Sequence, residues 1–257
     1  MVTRLRSAVM AALWAAVLAT GLLLPSSLMA QEFDQNQREE LGGIIREYLL
    51  ENPELLREVI EALEVKERQA EVAAAAAALK ELGPELFRSE ADFVAGNPDG
   101  SVTMVEFFDY NCGYCKRAMS DVLALIESDD DLRVVLKEWP ILGEGSRFAA
   151  RAALASHQQG KYWEFHQALM ETRSLDESTT LQVAERIGLD VDQLKADMES
   201  PEVNAVIDAN MRLASALGIQ GTPAFVIDDQ MIPGAVGHEA LAQVIGEVRD
   251  SGGCTIC

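Results

Sequence analysis

Two cysteines separated by two residues, Cys112 and Cys115, form the part of the sequence best suited to chemistry. Paired thiols at this spacing can alternate between a dithiol and a disulfide, because a thiolate attacks a disulfide sulfur and a second thiol then displaces it. Cys112 is the expected attacking thiol, and Cys115, one helical turn further on, is the expected resolving thiol. The pair is therefore predicted to be a redox-active disulfide.

The flanking sequence predicts a β-strand before the cysteines and an α-helix after them. Val102–Phe108 is rich in β-branched and aromatic residues, whereas residues 116–127 carry apolar side chains at helical spacing. Cys112 is thus expected near a helix N-terminus, where unpaired N–H groups and the helix dipole favour a thiolate.

A CxxC pair can also hold zinc or form a purely structural disulfide, and both alternatives fit this sequence less well. A zinc site usually takes a second ligand pair at short spacing, whereas the other two cysteines, Cys254 and Cys257, lie at the far end of the sequence. A disulfide that closes so short a loop removes little entropy from the unfolded chain. Redox chemistry is therefore the favoured interpretation of Cys112 and Cys115.

The first 30 residues have the pattern of a cleaved secretory signal peptide. Arg4 and Arg6 precede an uncharged apolar run over residues 8–24, and Ala30 supplies a small residue before the expected cleavage site. An uncleaved membrane anchor is the alternative, although the run is short for a membrane span. Export would place the four cysteines in an oxidising compartment, and we expect the periplasm.

The chain is strongly acidic, with 42 Asp and Glu residues against 21 Lys and Arg residues and a net charge of −21. Such a charge disfavours nucleic acid and anionic membranes as partners, and it suits a soluble exported protein. The 257 residues are enough for one large domain with an appendage.

Residues 31–85 are expected to form a helical stalk and linker. Apolar residues recur at helical spacing over residues 41–63, the Asn52-Pro53 pair interrupts them as the cap and first residue of a new helix, and the Gly83-Pro84 pair is expected to end the segment. The apolar stripe is too small for a core of its own. It is expected either to pack on the catalytic domain or to associate with other copies through residues 35–65.

Residues 86–250 are predicted to form one α/β domain with a mixed four-stranded sheet. The predicted strands are Val102–Phe108, residues 132–139, Ala224–Ile227 and residues 231–232. A helical insertion is expected over about residues 146–217, between the second and third strands, and His238–Asp250 is expected to close the domain as an amphipathic helix.

The order of these motifs resembles the thioredoxin fold, and the helical insertion resembles its DsbA-like branch. The resemblance extends over about residues 90–250 and includes Gly221-Thr222-Pro223 before a β-hairpin. It implies a cis peptide bond at Thr222-Pro223 that faces the dithiol. It also implies that Thr222 and Pro223 hold substrate backbone beside the sulfurs.

More narrowly, the chain is similar to the suppressor-of-copper-sensitivity C (ScsC) proteins and their Com1-like relatives. The similarity is carried by residues 106–117, 139–143 and 221–227. It implies an N-terminal trimerisation stalk, disulfide isomerase or reductase activity, a membrane thiol reductase as electron donor and a link to copper tolerance. The threonine before the proline resembles the isomerase and reductase side of the superfamily more than its dedicated oxidases.

Four further residues are candidates for supporting the dithiol. Gly113 and Tyr114 lie between the two cysteines. Glu106 lies in an apolar strand, where a buried carboxylate is costly unless it is paired or its pKa rises, and the resemblance implies that it assists proton transfer at the resolving cysteine. Lys137 is the candidate ion-pair partner of Glu106. A Glu106 side chain that faces solvent at a strand edge is the alternative.

The last residues, 251–257, are predicted to be a flexible tail with a second CxxC pair, Cys254 and Cys257. This pair could form a local disulfide, exchange with the main dithiol or bind Cu(I) through its soft thiolates. Dithiol chemistry requires no cofactor. Three histidines are interpreted as surface or packing residues: His157, His166 and His238.

The sequence as a whole predicts a periplasmic thiol-disulfide oxidoreductase that acts on cysteines of misfolded or reduced exported proteins. Isomerase or reductase activity is favoured, and a homotrimer is the expected form. One alternative is a copper-binding or copper-protecting protein that uses its thiolates as ligands. The other alternative is a monomeric DsbA-like dithiol oxidase with a more oxidising potential.

Overall fold

The computed structural model describes residues 34–257, so the predicted signal peptide over residues 1–30 lies outside the described part of the chain. The α-helices are α1 Gln35–Glu51, α2 Glu54–Arg88, α3 Gly113–Ser128, α4 Glu144–Ala155, α5 Tyr162–Glu171, α6 Glu177–Arg186, α7 Val191–Met198, α8 Pro201–Ala216 and α9 His238–Asp250. The strands are β1 Phe93–Gly96, β2 Val102–Phe108, β3 Leu132–Glu138, β4 Ala224–Ile227 and β5 Gln230–Pro233. Within residues 34–257, no helix has both the length and the apolar character that crossing a bilayer requires. The chain divides into two compact units, with the boundary after Leu63.

The sheet has five strands in the order β1-β3-β2-β4-β5. Strands β2 and β3 are parallel, and the other neighbouring pairs are antiparallel. The predicted α/β class and mixed sheet are confirmed, but the predicted number of strands is wrong, because the prediction lacks β1. This strand has only four residues and lies at the edge of the sheet, so it gives no apolar run long enough to recognise.

Both faces of the sheet are covered, so β2 and β3 are buried along their whole length. In β2, Met104 and Phe108 pack in one apolar cluster with α3, α9 and inserted helices. Val105 and Phe107 point to the other face and pack in a second cluster with α2 and the C-terminal part of α8. The strand that leads to the cysteines is therefore fixed from both sides.

Five α-helices, α4 to α8, lie between β3 and β4, as the predicted insertion requires. Three of these helices begin at a capping side chain, because Asp176, Asp190 and Ser200 each accept a hydrogen bond from a backbone N–H of the first turn. Phe165 and Leu169 of α5 are fully buried in the first apolar cluster. The insertion thus shares a core with β2 and α3.

The predicted break at Asn52 and Pro53 is present, and it separates α1 from α2. The role of Asn52 differs from the prediction. Its side-chain amide donates a hydrogen bond to the carbonyl of Tyr48 at 2.8 Å, so this side chain closes α1 instead of capping α2. Asp34 and Gln37 form a capping box at the start of α1. No residue of α1 is buried in the single chain.

The expectation that Gly83 and Pro84 end the helical segment is wrong, because α2 continues to Arg88. A proline inside a helix costs roughly 3 kcal/mol, since it removes a backbone hydrogen bond and crowds the preceding turn. Leu86 and Phe87 lie beyond the proline, and both are fully buried in the second apolar cluster. Burial of each such side chain stabilises by roughly 1.5 to 3 kcal/mol, which offsets the cost.

Candidate dithiol site

Cys112 lies at the junction between β2 and α3, as the flanking sequence predicts. It is the N-cap residue of α3 with an extended backbone, its side chain makes no capping hydrogen bond, and it is 7% exposed. Cys115 lies in the first turn of the helix and is fully buried. Both are free thiols in this structure. A partner sulfur can therefore reach Cys112 more easily than Cys115.

The Thr222-Pro223 peptide lies directly beside the first cysteine. This peptide bond is cis, as the family resemblance implies. The Sγ atom of Cys112 is 3.2 Å from the carbonyl oxygen of Thr222. The carbonyl oxygen of Pro223 accepts a hydrogen bond from the N–H of Gly234 at 2.8 Å, which ties this segment to the end of β5. The structure thus brings Cys112, Thr222 and Pro223 together.

Glu106 and Cys115 are two buried titratable groups of the site. Glu106 is 1% exposed, and its Oε1 atom has no hydrogen-bond partner among the described residues. Burial raises the pKa of Glu106 to about 8. Burial, together with the negative charge of Glu106, also raises the pKa of the Cys115 thiol well above its ordinary value. The solvent-facing alternative for Glu106 is therefore wrong.

Replacing Glu106→Gln should stabilise the protein at high pH. Between the ordinary pKa of 4.5 and the folded value of about 8, the folded protein keeps a proton that the unfolded chain loses. Stability of the parent protein therefore falls as pH rises through this window. The neutral amide lacks this dependence, so its advantage should grow from near zero at pH 5 to roughly 3 to 5 kcal/mol above pH 8. Urea unfolding at several pH values measures the difference.

The family resemblance implies that Glu106 accepts the proton of Cys115. On that expectation, the same substitution should slow closure of a Cys112–Cys115 disulfide by roughly a hundredfold at pH 7. Glu127→Gln is the control, because it makes the same charge change at an exposed residue in the last turn of α3. Stopped-flow oxidation of the reduced protein gives the rate. An unchanged rate together with a pH-independent stability difference would show that Glu106 has neither the proposed charge state nor the proposed role.

The predicted pairing of Lys137 with Glu106 is wrong. Glu106 is opposite Leu136 in the parallel register, so Lys137 is opposite Phe107 and points to the other face of the sheet. There its ammonium group contacts the carboxylate of Asp92 and donates to the carbonyl of Glu85 at 2.8 Å. Lys137 therefore supports the packing of the chain before β1 and not the dithiol.

The loop before the cysteines is held by Asp109, which sequence reasoning missed. One carboxylate oxygen accepts hydrogen bonds from the N–H of Asn111 and from the hydroxyl of Ser146, both at 2.7 Å. The other accepts from the N–H groups of Ile141 and Leu142 at 2.8 and 2.9 Å. The Asp-x-Asn spacing is typical of an Asx turn and was the available signal. Asp109 thus fixes the approach to Cys112 against the chain that follows β3.

A second group that the sequence did not reveal surrounds the buried carboxyl of Glu138. Its Oε1 atom accepts hydrogen bonds from the hydroxyls of Tyr110 and Tyr162, each at 2.8 Å. Burial raises the pKa of Glu138 well above its ordinary value. His166 lies 3.0 Å from the Tyr110 hydroxyl, and burial lowers its pKa to about 3, so it is a neutral packing residue as expected. This cluster joins the insertion to the strand beside the dithiol.

An apolar groove opens next to Cys112. It has a volume of about 590 Å³ and is lined by Tyr114 and by residues 217–225 and 231–235. The Tyr114 ring is 61% exposed, and the guanidinium of Arg117 lies 4.2 Å from the ring centroid. Gly113 is the exposed first residue of α3. The groove has the size and character to take an extended apolar segment beside the sulfur.

The second CxxC pair lies at a different end of the fold. Cys254 and Cys257 are joined in a disulfide. The segment predicted as a flexible tail is packed, because Ile256 joins the second apolar cluster and Thr255 bonds to the carboxylate of Asp228. Thr222 and Asp228 lie beyond opposite ends of β4, whose four residues span roughly 13 Å. The two pairs are therefore too far apart to exchange within one chain in this conformation.

Comparisons with known proteins agree with this architecture. The "DSBA-like thioredoxin domain" family matches residues 103–246, and the "Copper resistance protein ScsC N-terminal domain" family matches residues 37–70. The structure of a thioredoxin-like oxidoreductase from Silicibacter pomeroyi DSS-3 is 51% identical, covers 65% of this chain and 97% of its own, and has a TM-score of 0.64.

Two further relatives are more distant. Proteus mirabilis ScsC in a transitional conformation is 30% identical, with 85% of this chain and 98% of that chain covered and a TM-score of 0.63. The Na(+)/H(+) antiporter NhaA of Herminiimonas arsenicoxydans is 30% identical over 164 residues, which are 62% of this chain but only 26% of the antiporter. The chain thus spans about a quarter of that curated relative's length. Taken with the dithiol at the start of α3, the cis peptide beside it and the helical insertion, these matches show that the chain belongs to the DsbA-like thioredoxin family of thiol-disulfide oxidoreductases.

Proposed function

We propose that this chain is a periplasmic disulfide isomerase and reductase that works as a homotrimer on exported proteins. The observation that carries the proposal is the set of exposed apolar side chains on α1 and the first turns of α2. The same chain also has a dithiol, Cys112 and Cys115, at the start of α3. The predicted signal peptide over residues 1–30 supports the periplasmic location.

In the proposed reaction, the Cys112 thiolate attacks a substrate cystine. The substrate S–S bond breaks, a mixed disulfide forms, and one substrate sulfur leaves as a thiolate. In isomerisation, another substrate thiol displaces Cys112; in reduction, Cys115 displaces the substrate after passing its proton to Glu106. The groove beside Tyr114 and Pro223 would hold the apolar chain of a misfolded substrate.

The apolar side chains of α1 and the first turns of α2 are exposed in the single chain, and a partner would bury them. The large side chains among them are between 42% and 69% exposed in the single chain: Leu41, Ile44, Ile45, Tyr48, Leu50, Leu56, Val59, Ile60, Leu63 and Val65. So many exposed large apolar side chains within one segment are unusual on a monomer and are typical of an interface. Residues 35–65 would associate with the same residues of two other copies, and the match of residues 37–70 to the ScsC N-terminal domain supports this assignment.

Association through residues 35–65 would bring several dithiols together, which favours isomerisation. Several dithiols held on one stalk act on the same misfolded chain, because once one site has bound, the others meet it at high effective concentration. A membrane thiol reductase would keep Cys112 and Cys115 reduced, as required for attack on a cystine. The link to copper tolerance rests on the match to the copper resistance family and on the capacity of thiolates to bind Cu(I).

Deleting residues 31–65 should convert the proposed trimer into a monomer. The shortened protein should reduce insulin disulfides at a rate within about twofold of the parent, because the dithiol is intact, but should unscramble a scrambled-disulfide substrate at least about tenfold more slowly. Size exclusion with light scattering gives the mass, and recovery of substrate activity gives the unscrambling rate.

Point substitutions test the stripe without a deletion. Ile45→Glu with Ile60→Glu places charges among the apolar side chains, whereas Arg46→Gln with Glu61→Gln changes neighbouring polar residues as the control. The first pair should dissociate the protein and lower unscrambling, and the second should do neither. A full-length protein that is monomeric yet unscrambles as fast as before would contradict the proposal and favour a monomeric oxidase.

A further inference from the structure

The segment Cys254–Cys257 is held against the turn between β4 and β5 by one carboxylate. The Oδ1 atom of Asp228 accepts hydrogen bonds from the N–H groups of Thr255 at 2.7 Å and Ile256 at 3.2 Å. The Thr255 hydroxyl donates to the same oxygen at 2.9 Å. Asp228 is itself buried, with a left-handed backbone at φ 51°. The carboxylate therefore has a fixed position relative to the last residues of the chain.

Both sulfurs of this segment lie beside that carboxylate. The Sγ atom of Cys254 is 3.4 Å from Oδ1 of Asp228. One ligand atom from each of Cys254, Cys257 and Asp228 lies within 4.8 Å of the other two, and in the described part of the chain this is the one such group of three. The Oδ2 atom of Asp228 accepts a single bond among the described residues, from the Thr255 hydroxyl at 3.2 Å. This oxygen is available to a cation while Oδ1 holds the loop.

We propose that Cys254, Cys257 and Asp228 form a Zn²⁺ site when the Cys254–Cys257 disulfide is reduced. Zn²⁺ takes thiolate sulfurs and carboxylate oxygens, usually in tetrahedral arrangement. In such a site, neighbouring ligand atoms are about 3.6 to 3.8 Å apart. Cys254 Sγ is 3.4 Å from Oδ1 of Asp228, so the carboxylate already lies beside this sulfur. Binding of Zn²⁺ through Oδ2 then requires the two sulfurs to separate from each other.

The carboxylate decides which cation the site favours. Cu(I) prefers soft sulfur ligands and gains little from a carboxylate oxygen, whereas Zn²⁺ binds both kinds of donor. The exposed carboxylate of Asp229 follows in the same turn and adds negative charge. Cys254 and Cys257 are each half-buried, so a cation could enter from solvent while the site stays partly shielded.

Reduction of the Cys254–Cys257 disulfide frees the two sulfurs as metal ligands, and it is a two-electron step. An external dithiol gives two electrons and two protons to the tail, its own sulfurs join in a disulfide, and the S–S bond between Cys254 and Cys257 breaks to give two thiols. Zn²⁺ binding then releases both thiol protons to solvent, because the thiolates are the ligands. Metal binding therefore depends on the redox state of the tail, at the end of β4 away from Cys112.

The test uses the chain from residue 31 onward with Cys112→Ser and Cys115→Ser, so that the tail carries the two remaining thiols. Protein reduced with a phosphine, and then freed of it without oxygen, is titrated with Zn²⁺ against a chromophoric chelator. We expect one Zn²⁺ per reduced chain and at least about a hundredfold weaker binding by the oxidised chain. Co²⁺ in place of Zn²⁺ should show the absorption of a tetrahedral site with thiolate ligands.

Asp228→Asn tests whether the Asp228 carboxylate is a ligand of Zn²⁺. Asparagine tolerates the left-handed backbone and still offers an oxygen to the Thr255 N–H, so the loop keeps its anchor while the charged ligand is lost. We expect at least about tenfold weaker Zn²⁺ binding. Asp229→Asn is the matched control, because it makes the same charge change at the exposed neighbour, and its affinity should be unchanged. Equal melting temperatures of the oxidised proteins confirm that the tail is still docked.

Three results would overturn the proposal. The first is less than stoichiometric Zn²⁺ binding by the reduced chain, or binding that persists after Cys254→Ser with Cys257→Ser. The second is equal affinity in Asp228→Asn and Asp229→Asn, which would exclude the carboxylate as a ligand. The third is tight Cu(I) binding without Zn²⁺ binding, which would make the pair a sulfur-only site.

Discussion

Replacing Cys112→Ser will abolish both insulin reduction and unscrambling, with a loss of at least about a thousandfold. A serine hydroxyl cannot form a disulfide, and Cys115 cannot take over the attack. That second thiol is fully buried, and burial and the charge of Glu106 raise its pKa, so it is held protonated. Turnover of insulin and of a scrambled substrate at pH 7 measures the loss.

The control for this prediction is Ser120→Ala, an equally small change on the exposed face of the same helix, which should leave both rates unchanged. Cys115→Ser should behave differently from both. Net reduction should stop, since no resolving thiol remains, but substrates should still become attached through Cys112. Appreciable turnover by Cys112→Ser would mean that another thiol does the chemistry.

Replacing Asp92→Ala will destabilise the fold by about 3 to 5 kcal/mol, because it leaves the Lys137 ammonium buried without its charged partner. The side chains of Lys137 and Asp92 are 1% and 2% exposed. Burial lowers the pKa of Lys137 and raises that of Asp92, and each charge opposes the shift of the other. The carbonyl of Glu85 also accepts a hydrogen bond from Lys137, and the charge of Glu85 opposes the lowering of the Lys137 pKa less than Asp92 does.

Urea unfolding of Asp92→Ala and of the double variant Asp92→Leu with Lys137→Met measures this effect. The double variant removes both charges and should recover most of the lost free energy of unfolding. A loss below about 1 kcal/mol in Asp92→Ala would contradict the buried ion pair.

The elements around the dithiol were predictable because their patterns are strong and local. Residues 102–108 are continuously apolar apart from Thr103 and Glu106, as a strand buried on both faces requires, and the helix after Cys115 has a clear 3.6-residue period. The same pattern favoured a buried Glu106 over the solvent-facing alternative, and Glu106 is 1% exposed. The predicted pairing of Glu106 with Lys137 was wrong, because the face on which Lys137 lies depends on the register between β2 and β3. Register is a property of the folded sheet.

Long-range contacts explain the other differences. The helix continues through Pro84 because Leu86 and Phe87 gain burial against strands far along the chain. The last residues are held by Asp228, which lies in a turn whose side-chain contacts no local pattern predicts. The anchoring role of Asp109 likewise requires Ser146 to be brought close by the fold. Sequence patterns thus located the dithiol at the strand-to-helix junction, but not most of the groups that hold it in place.

The most direct test of the central claim is to trap the reaction intermediate. Cys115→Ser is incubated with a scrambled-disulfide substrate, quenched with acid and digested, and the linked peptides are identified by mass spectrometry. We predict a mixed disulfide that joins a substrate cysteine to Cys112, in high yield and absent from the Cys112→Ser variant. Linkage through Cys254 or Cys257, or no protein-linked substrate at all, would contradict the assignment of Cys112 as the thiol that attacks substrate disulfides.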